Sequence, residues 1–239
     1  MKKQLLILLT LITLSTYSQN YFDKTKEYHY QVVYLSGDDT LTNEKMILKP
    51  LGRRWGFQPW QQVAFKYFYF PDSINFINYV DPEPFFDEKN KSYIEKKGEP
   101  RLSIKETTGG VDDSIEFFLH PPRRNQYRML STAIYPTIMK QALSSDTIMK
   151  YQSNLTTYGA NGVVYKMMYK TIPIHHYKFN NEDIGTCWKI IGESFVGDEV
   201  QTSFVSFYNV EYGFIKLYYT LENEVKINFD LIEVKKDLI

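Results

Sequence analysis

The C-terminal quarter of the chain constrains the fold most, because four runs of alternating apolar residues follow one another there. The runs are residues 187–192, 201–209, 213–220 and 225–234. In the last run Phe229 falls on the apolar face and Lys226 on the polar face, as expected of a strand with one buried side. Short polar or glycine-containing breaks separate the runs, and such breaks join antiparallel neighbours. The sequence therefore predicts an antiparallel meander at the end of the chain.

Earlier segments carry the same strand pattern. Residues 28–35 and 40–49 flank a turn-forming stretch, 36–39, and this arrangement predicts a hairpin. Further predicted strands are residues 63–70, 73–80, 147–158, 163–170 and 174–179. Aromatic residues make up 16% of the chain and include 20 tyrosines, a composition that favours pleated, half-buried surfaces.

Proline and glycine are expected to interrupt this pattern at two places. Residues 101–107 and 112–119 predict a second hairpin, with Gly109 and Gly110 in its turn. The stretch 50–60 contains two prolines and two glycines and predicts a loop.

The periodicity changes after Pro136. Proline suits the first turn of a helix, and an apolar stripe follows it, so the sequence predicts a short helix here. The stripe consists of Ile138, Met139, Ala142 and Leu143. Together the elements predict a mainly β protein: one large curved antiparallel sheet, a half-barrel or open barrel, with one or two short helices. No repeat or linker divides the sequence, so residues 19–239 are expected to form a single domain.

Residues 1–18 have the pattern of a secretory signal peptide. Two lysines precede the apolar run 4–14, and the small residues Thr16 and Ser18 follow it. This run is shorter than the roughly 20 residues that a membrane-spanning helix needs. The sequence therefore predicts export, cleavage after Ser18, a periplasmic or secreted location, and no membrane span in the mature chain.

The charge balance argues against partners that are recognised through a strong electrostatic field. The chain has 28 Lys and Arg and 28 Asp and Glu, and loss of Lys2 and Lys3 with the signal peptide leaves 26 against 28. Such a balance argues against nucleic acid or an anionic membrane surface as a partner that is recognised through the field of the whole chain. Cys187 is the single cysteine, so no intrachain disulfide can form and the fold must depend on its core.

The residue types that carry catalysis or bind metals occur in patterns that favour structural roles. His175 and His176 are adjacent on a predicted strand, so one is expected to be half-buried and the other exposed, and they do not share an ion. The sequence around Ser194 resembles the G-x-S-x-G turn of a nucleophilic serine, but Val196 replaces the second glycine. Cys187 lies on a predicted buried strand and is expected to be inert. The sequence thus predicts no enzyme, no metal and no cofactor.

Residues 120–124 form the most unusual local motif. Two consecutive prolines fix an extended backbone where a strand ends, and they hold Arg123 and Arg124 beside His120. Guanidinium groups bind carboxylates and phosphates through paired hydrogen bonds. The motif predicts an anion-binding loop. The alternative is an ordinary loop at the end of the strand, in which the arginines pair with carboxylates on the surface.

Four tripeptides share the order aspartate, hydroxyl residue, apolar residue. Their hydroxyl residues are Thr40, Ser73, Ser114 and Thr147. The pattern resembles the acceptor sequence for O-glycosylation of exported proteins in some envelope bacteria. It is also ordinary turn chemistry ahead of a strand, and both interpretations stay open.

The tail, with its runs 206–209, 212–219 and 227–231, resembles exported β-rich proteins of Gram-negative envelopes. Some of these are similar to the curved half-barrel of the periplasmic lipoprotein carriers LolA and LolB. The resemblance implies a concave sheet face that holds an acyl chain, with a short helix as a lid. It implies no individual binding residue, because the matching positions are strand aromatics.

Two main functions follow as hypotheses. The first is a non-enzymatic protein that binds a hydrophobic or amphipathic ligand, such as a lipid, on a concave aromatic face, with the predicted helix as a movable lid. Its candidate contacts are Tyr67, Tyr69, Phe204 and Tyr208 for the apolar part and His120, Arg123 and Arg124 for an anionic head group. The alternative is a structural or assembly component of the cell envelope that contacts an envelope protein. A membrane barrel is disfavoured, since several runs are shorter than its strands of roughly 9–11 residues.

Overall fold

The structure is a computed structural model that describes residues 22–56, 60–68, 103–123, 127, 129–130, 133–156, 164–221 and 224–236. The strands before the helix are β1 (Lys26–Ser36), β2 (Asp39–Arg54), β3 (Gln61–Phe68), β4 (Ser103–Asp112), β5 (Glu116–Leu119) and β6 (Thr137–Met139). The helix is α1 (Lys140–Leu143). The strands after it are β7 (Met149–Thr156), β8 (Val164–Ile174), β9 (Lys178–Phe179), β10 (Glu182–Asp183), β11 (Cys187–Val196), β12 (Glu199–Asn209), β13 (Gly213–Leu221) and β14 (Val225–Lys236).

Twelve of these strands form one sheet in the order β6–β5–β4–β3–β2–β1–β14–β13–β12–β11–β8–β7, and β9 and β10 form a separate hairpin. The predicted C-terminal meander is present as β11 to β14, and every neighbouring pair in it is antiparallel. Strand β1 pairs with β14 from Lys26 opposite Lys236 to Ser36 opposite Val225. The first and last strands of the described chain are therefore neighbours in the middle of the sheet.

The sheet curves so strongly that the strands at the two ends of its order contact each other. The Tyr151 hydroxyl on β7 donates a hydrogen bond to the carbonyl of Thr137 on β6. The Tyr169 hydroxyl on β8 donates to the Tyr135 carbonyl over 3.1 Å. Within the described ranges no backbone ladder joins β6 to β7, so the sheet is an open barrel. The predicted fold class is confirmed.

Alternation along the strands places large aromatic side chains on the concave side. Tyr30, Phe65, Tyr219 and Phe229 are each at most 1% exposed, whereas Lys226 on the opposite face of β14 is exposed. Burying one such ring contributes roughly 1.5–3 kcal/mol. This face is the main source of stability in a chain whose one cysteine is free.

The concave side is occupied, because the chain between β5 and β6 passes across it. We call the described residues of this stretch (120–123, 127, 129–130 and 133–136) the inner segment. Tyr127, Leu130 and Ile134 have no exposed surface. The Ile134 N–H donates to the Thr202 hydroxyl over 3.2 Å, which fixes one end of the inner segment to β12.

Gly109 and Gly110, predicted as a turn, lie inside β4, and the turn falls instead at residues 113–115. A Cβ atom at Gly109 would lie 2.7 Å from the Trp60 ring, and one at Gly110 would lie 2.4 Å from the Phe22 ring. Both glycines are therefore required by rings that lie directly on the strand. The prediction was wrong because glycine in a strand can also mark such a close approach.

The predicted loop 50–60 is also partly strand, since β2 continues to Arg54. Gly52 has φ +64°, and the register against β3 shifts between Pro50 and Arg54, so a bulge absorbs the irregularity without ending the strand. Strands β2 and β14 are longer than the apolar runs suggested, with 16 and 12 residues, whereas β3, β5, β6 and β7 have 8, 4, 3 and 8 residues.

The predicted helix after Pro136 begins later and is shorter than expected. Thr137–Met139 is strand β6, and the helix covers only Lys140–Leu143. Ile138 lies opposite Phe117 of β5 and has no exposed surface, so pairing with the sheet overrides the helical pattern. The hypothesis that Ile138, Met139 and Ala142 form a movable helical lid is therefore wrong.

Candidate functional site

A continuous chain of aromatic contacts crosses the concave face and includes two of the predicted ligand contacts. Tyr67 lies edge-on to Tyr127 with ring centroids 4.9 Å apart, and Tyr127 lies 5.8 Å from Phe229. Tyr219 is 6.0 Å from Phe229 and 5.8 Å from Phe204. Strand alternation alone thus identified Tyr67 and Phe204 as members of one buried face.

Tyr208 belongs to a second group of rings. Its ring centroid is 5.3 Å from those of Phe117 and Phe214, and Phe22 lies 5.5 Å from Phe117. Tyr208 is therefore a buried residue of the same hydrophobic core that contains Tyr67 and Phe204. Tyr69, the remaining predicted aromatic contact, lies outside the described residues.

A narrow apolar pocket lies between the concave face and the inner segment. Its cavity volume of about 10 Å³ leaves room for roughly one water molecule. Pro121, Pro122 and Pro136 line it from the inner segment, and Leu48, Phe65 and Leu217 are among the residues that line it from the sheet. The pocket is therefore a gap in the contact between these two parts of the molecule.

His120 lies next to this pocket and is almost completely buried. Its Nδ1 atom is 2.8 Å from the Pro121 carbonyl oxygen, and its Nε2 atom is 2.8 Å from the Tyr135 hydroxyl and 3.2 Å from Nη1 of Arg123. A carbonyl oxygen only accepts, so we assign the proton to Nδ1. Nε2 then accepts hydrogen bonds from Tyr135 and Arg123.

Burial lowers the pKa of His120 to about 4, and the Arg123 guanidinium adds to the lowering against the hydrogen bond to Pro121. His120 is therefore neutral near pH 7 and supplies no charge to an anion. Among the described residues of the motif, Arg123 is exposed beside the pocket and can supply a positive charge there. Arg124 lies outside the described residues.

Buried carboxylates beneath the inner segment were not predicted as site residues. Glu106 is 1% exposed, and its two oxygens accept the Arg123 N–H over 3.0 and 3.1 Å. The Tyr67 hydroxyl donates to Glu106 over 3.4 Å, and the Tyr127 hydroxyl donates to Glu44 over 3.1 Å. These acids disfavour a second anion at the same depth, so an anionic group is better placed at the surface beside Arg123.

A signal for one of these acids was present in the sequence. Glu44 has the same phase along β2 as Met46 and Leu48, both of which face the core. A glutamate in the apolar phase of a half-buried strand is expected to be buried and hydrogen-bonded.

Ser194 and Cys187 are both completely buried. Ser194 has no exposed surface, and its hydroxyl lies 2.6 Å from that of Thr202 on the neighbouring strand, not on a turn that presents it to a substrate. Burial raises the pKa of the Cys187 thiol to about 12, which keeps it protonated near pH 7.

His175 and His176 are both exposed, which corrects the expectation that one is half-buried, because β8 ends at Ile174 and a turn follows. They have separate partners: His175 Nε2 is 2.8 Å from Asp146, and His176 Nδ1 is 2.9 Å from Asp183. Across the described part of the chain, no group of three or more His, Cys, Asp or Glu side chains could hold a metal ion.

Three of the candidate O-glycan acceptors, Thr40, Ser114 and Thr147, are exposed, and Ser73 lies outside the described residues. Ser114 is in the turn between β4 and β5, where the Asp113 side chain accepts the N–H groups of Ile115 and Glu116 over 2.7 and 2.8 Å. Exposure suits glycosylation, and the hydrogen bonds suit the turn interpretation. Acceptance of a glycan stays a prediction.

Comparisons with known proteins give little further information. No protein-family model matches the chain, and no curated protein matches it. A crystal structure of a LolA superfamily protein from Nitrosomonas europaea is similar over 88% of this chain and 85% of that one, at 9% sequence identity and a TM-score of 0.30. The likeness to LolA is therefore weak, and it says nothing about a ligand of this chain. Among the described residues no helix has the length and apolar character needed to cross a membrane.

Proposed function

We propose that the protein binds a hydrophobic or amphipathic ligand whose apolar chain lies between the concave face and the inner segment. The observation that carries this proposal is the apolar pocket at that contact. It shares Tyr219 and Phe229 with the chain of aromatic contacts that crosses the sheet. A ligand chain that enters at the pocket would therefore meet apolar rings along its path.

The pocket must widen before it admits a ligand. Small-molecule pockets usually enclose roughly 300–1,000 Å³, far more than the single water volume present here. The sheet strands are held by continuous ladders, whereas the inner segment contributes no strand. Displacement of the inner segment is thus the least costly way to open the space.

The ligand class we propose is an acyl chain with an anionic head. Arg123 is exposed at the pocket edge, while the buried carboxylate of Glu106 lies beneath its backbone. An anionic head is therefore attracted to the surface position and disfavoured deeper inside.

We further propose that the protein is exported and is not an enzyme. The pattern of residues 1–18 supports export to the periplasm or the medium. The buried hydroxyl of Ser194 and the protonated thiol of Cys187 support the absence of covalent catalysis.

Titration of the mature protein with a dansyl-labelled fatty acid below its micelle concentration tests the ligand proposal. Leu217→Trp fills the pocket and should weaken binding at least tenfold, and Leu48→Phe, a smaller increase in volume, should act in the same direction. Ile232→Trp, at a position 43% exposed, is the matched control and should bind like the wild type. Absence of binding by the wild type, or equal affinity in all four folded proteins, would contradict the proposal.

A second candidate is an assembly component of the cell envelope. Large apolar side chains are exposed at the turn before β5 and just before β7, where Ile115 is 62% and Ile148 is 57% exposed. Isolated exposed apolar residues are common, so this observation is weaker than the pocket. In-cell cross-linking at Ile115 and Ile148 to one envelope protein, with no amphiphile binding, would favour this candidate.

A further inference from the structure

Four aromatic side chains form a connected row along β3 to β5, on the face that carries Phe118 opposite the buried Phe117, and Tyr135 joins this row from the end of the inner segment. We call Trp55, Trp60, Phe118 and Tyr135 the outer aromatic strip. Trp60 meets Phe118 edge-on with ring centroids 5.2 Å apart, and Phe118 stacks with Tyr135 at 6.1 Å. Trp55 is joined to Trp60 by a backbone hydrogen bond of 3.0 Å. Trp55 is 39% exposed, and the other three are half-buried.

Gly109 provides the flat backbone on which both tryptophans lie. A Cβ atom there would be 2.7 Å from Trp60 and 3.6 Å from Nε1 of Trp55, and that Nε1 donates to the Thr108 carbonyl over 3.4 Å. The packing of Trp60 against the sheet is sufficient to explain its position. Such packing does not account for Trp55, which leaves much of its ring in solvent.

Arginines flank the outer aromatic strip. Arg53 is exposed, and its Nε donates to the Gln62 side chain, next to the strip, over 2.8 Å. At the other end the guanidinium of Arg123 lies 3.2 Å from His120, whose ring is 4.4 Å from Tyr135. The exposed carboxylate of Asp113 lies at the turn of this hairpin, where it accepts backbone hydrogen bonds, and the carboxylate of Glu106 is buried beneath the Arg123 backbone. Among the described residues at the two ends of the strip, Arg53 and Arg123 are thus exposed and positively charged, in a chain that is nearly neutral.

The same chain segments build the strip and the pocket. Tyr135 belongs to the strip, and the next residue, Pro136, lines the pocket. His120 packs against Tyr135, and the next residue, Pro121, lines the pocket. A surface held by the outer aromatic strip would therefore lie beside the pocket edge.

We propose that the outer aromatic strip docks the protein on a membrane surface that contains anionic lipids. Half-exposed Trp and Tyr rings have apolar bodies and polar tips, which suits the boundary between head groups and acyl chains. Arginines at both ends attract an anionic surface. The inference rests on the proposed function, because docking here would bring the ligand source to the pocket.

Flotation of the mature protein with vesicles of phosphatidylcholine and phosphatidylglycerol (7:3) tests this proposal. Arg53→Gln with Arg123→Gln should reduce partitioning about fivefold for each arginine. Lys45→Gln with Lys226→Gln removes the same charge from exposed positions elsewhere and should change partitioning less than twofold. Equal losses in the two double variants would mean general charge attraction and would overturn the proposal.

Tryptophan fluorescence with brominated lipid locates the contact. The chain has 3 tryptophans, and Trp188 is buried. Bromolipid should quench the wild type, and Trp55→Phe with Trp60→Phe, which keeps aromatic rings, should leave Trp188 unquenched. Quenching that persists in this double variant would overturn the proposal.

Fatty-acid titration of the wild type and of Arg53→Gln alone, which leaves Arg123 at the pocket edge, separates docking from ligand binding. Vesicle binding reduced about fivefold in Arg53→Gln, with fatty-acid binding near that of the wild type, supports docking. If the wild type binds fatty acid but no vesicles, the docking proposal is overturned and the proposed ligand is not affected. The same conclusion holds if the strip is then found to bind a glycan or a protein. Vesicle binding through the strip without fatty-acid binding supports docking and contradicts the proposed ligand.

Discussion

The two sides of the sheet hold the inner segment in different ways. On the side of β2 to β5 three polar contacts add to the ring contacts of Tyr67 and Phe118. Glu106 accepts the Arg123 N–H, Glu44 accepts the Tyr127 hydroxyl, and Thr108 donates to the His120 carbonyl over 3.2 Å. On the side of β11 to β14 the contacts are mostly apolar rings, together with the hydrogen bond from Ile134 to Thr202.

This difference indicates which contact opens for a ligand. Breaking a buried polar contact leaves an unsatisfied group at a cost of about 1–3 kcal/mol. Apolar contacts with β13 and β14 can instead be replaced by the chain of a ligand at little cost. We infer that the inner segment stays attached to β2–β5 and parts from β11–β14.

The largest expected loss of stability comes from a substitution on the side of β11 to β14, where the contacts are mostly apolar. Phe229→Ala should lower the free energy of unfolding by roughly 3–5 kcal/mol, because this ring is 1% exposed and lies against Tyr127 and Tyr219. Lys226→Ala, on the opposite face of β14, should change it by no more than about 0.5 kcal/mol. Urea denaturation of both variants measures this, and equal effects would place Phe229 outside the core.

The free energy of unfolding should depend on pH through the polar contacts on the side of β2 to β5. Burial lowers the pKa of His120 from 6.5 to about 4, so the unfolded chain takes up a proton first as the pH falls. The contribution of neutral His120 is complete above pH 6.5 and is lost between there and about pH 4, by about 2–3 kcal/mol at pH 4.5. The measurement is urea unfolding at pH 7 and 4.5, with His120→Asn as the comparison. An identical pH effect in both proteins would contradict this assignment.

The two attachments of the inner segment can be compared directly by hydrogen exchange. Glu106→Ala removes the acceptor of the Arg123 N–H and should cost about 1–3 kcal/mol, with lost protection at the amides of residues 120–123. Thr202→Val removes the acceptor of the Ile134 N–H and should expose only that end. If Thr202→Val released the whole inner segment and Glu106→Ala did not, the inferred direction of opening would be reversed.

The sequence predicted the regular half of the molecule better than the half that holds the site. Strand alternation identified Phe229, Tyr67 and Phe204 as core residues because it reports burial in a single strand. It did not identify the role of Gly109, which depends on a ring from another strand. The apolar pattern after Pro136 led to the wrong prediction of a helix at Ile138 for the same reason. Pairing of Ile138 with Phe117 on another strand decides the structure there.

The motif 120–124 shows the same limit within one loop. Its prolines line the pocket, and Arg123 beside them is exposed, while the rigidity expected of the two prolines stays a prediction. Its histidine was expected to help bind an anion, but Tyr135, fifteen residues later, donates to its Nε2 atom, and burial keeps it neutral. Long-range contacts of this kind leave no local pattern in the sequence.

The smallest effect on stability and the most specific effect on function are expected at Arg123. Arg123→Ala with Arg124→Ala keeps the backbone N–H that Glu106 accepts, so the unfolding midpoint should stay nearly unchanged. Binding of a fatty acid should weaken roughly tenfold, because a charge-assisted contact to the carboxylate is lost. A fatty alcohol with the same chain has no anionic head and should bind both proteins equally. If the alcohol lost affinity as much as the acid, the arginines would act through the shape of the loop and not through their charge. If neither affinity changed, the head group of a bound amphiphile would lie elsewhere, and the pocket edge at Arg123 would have no part in recognising it.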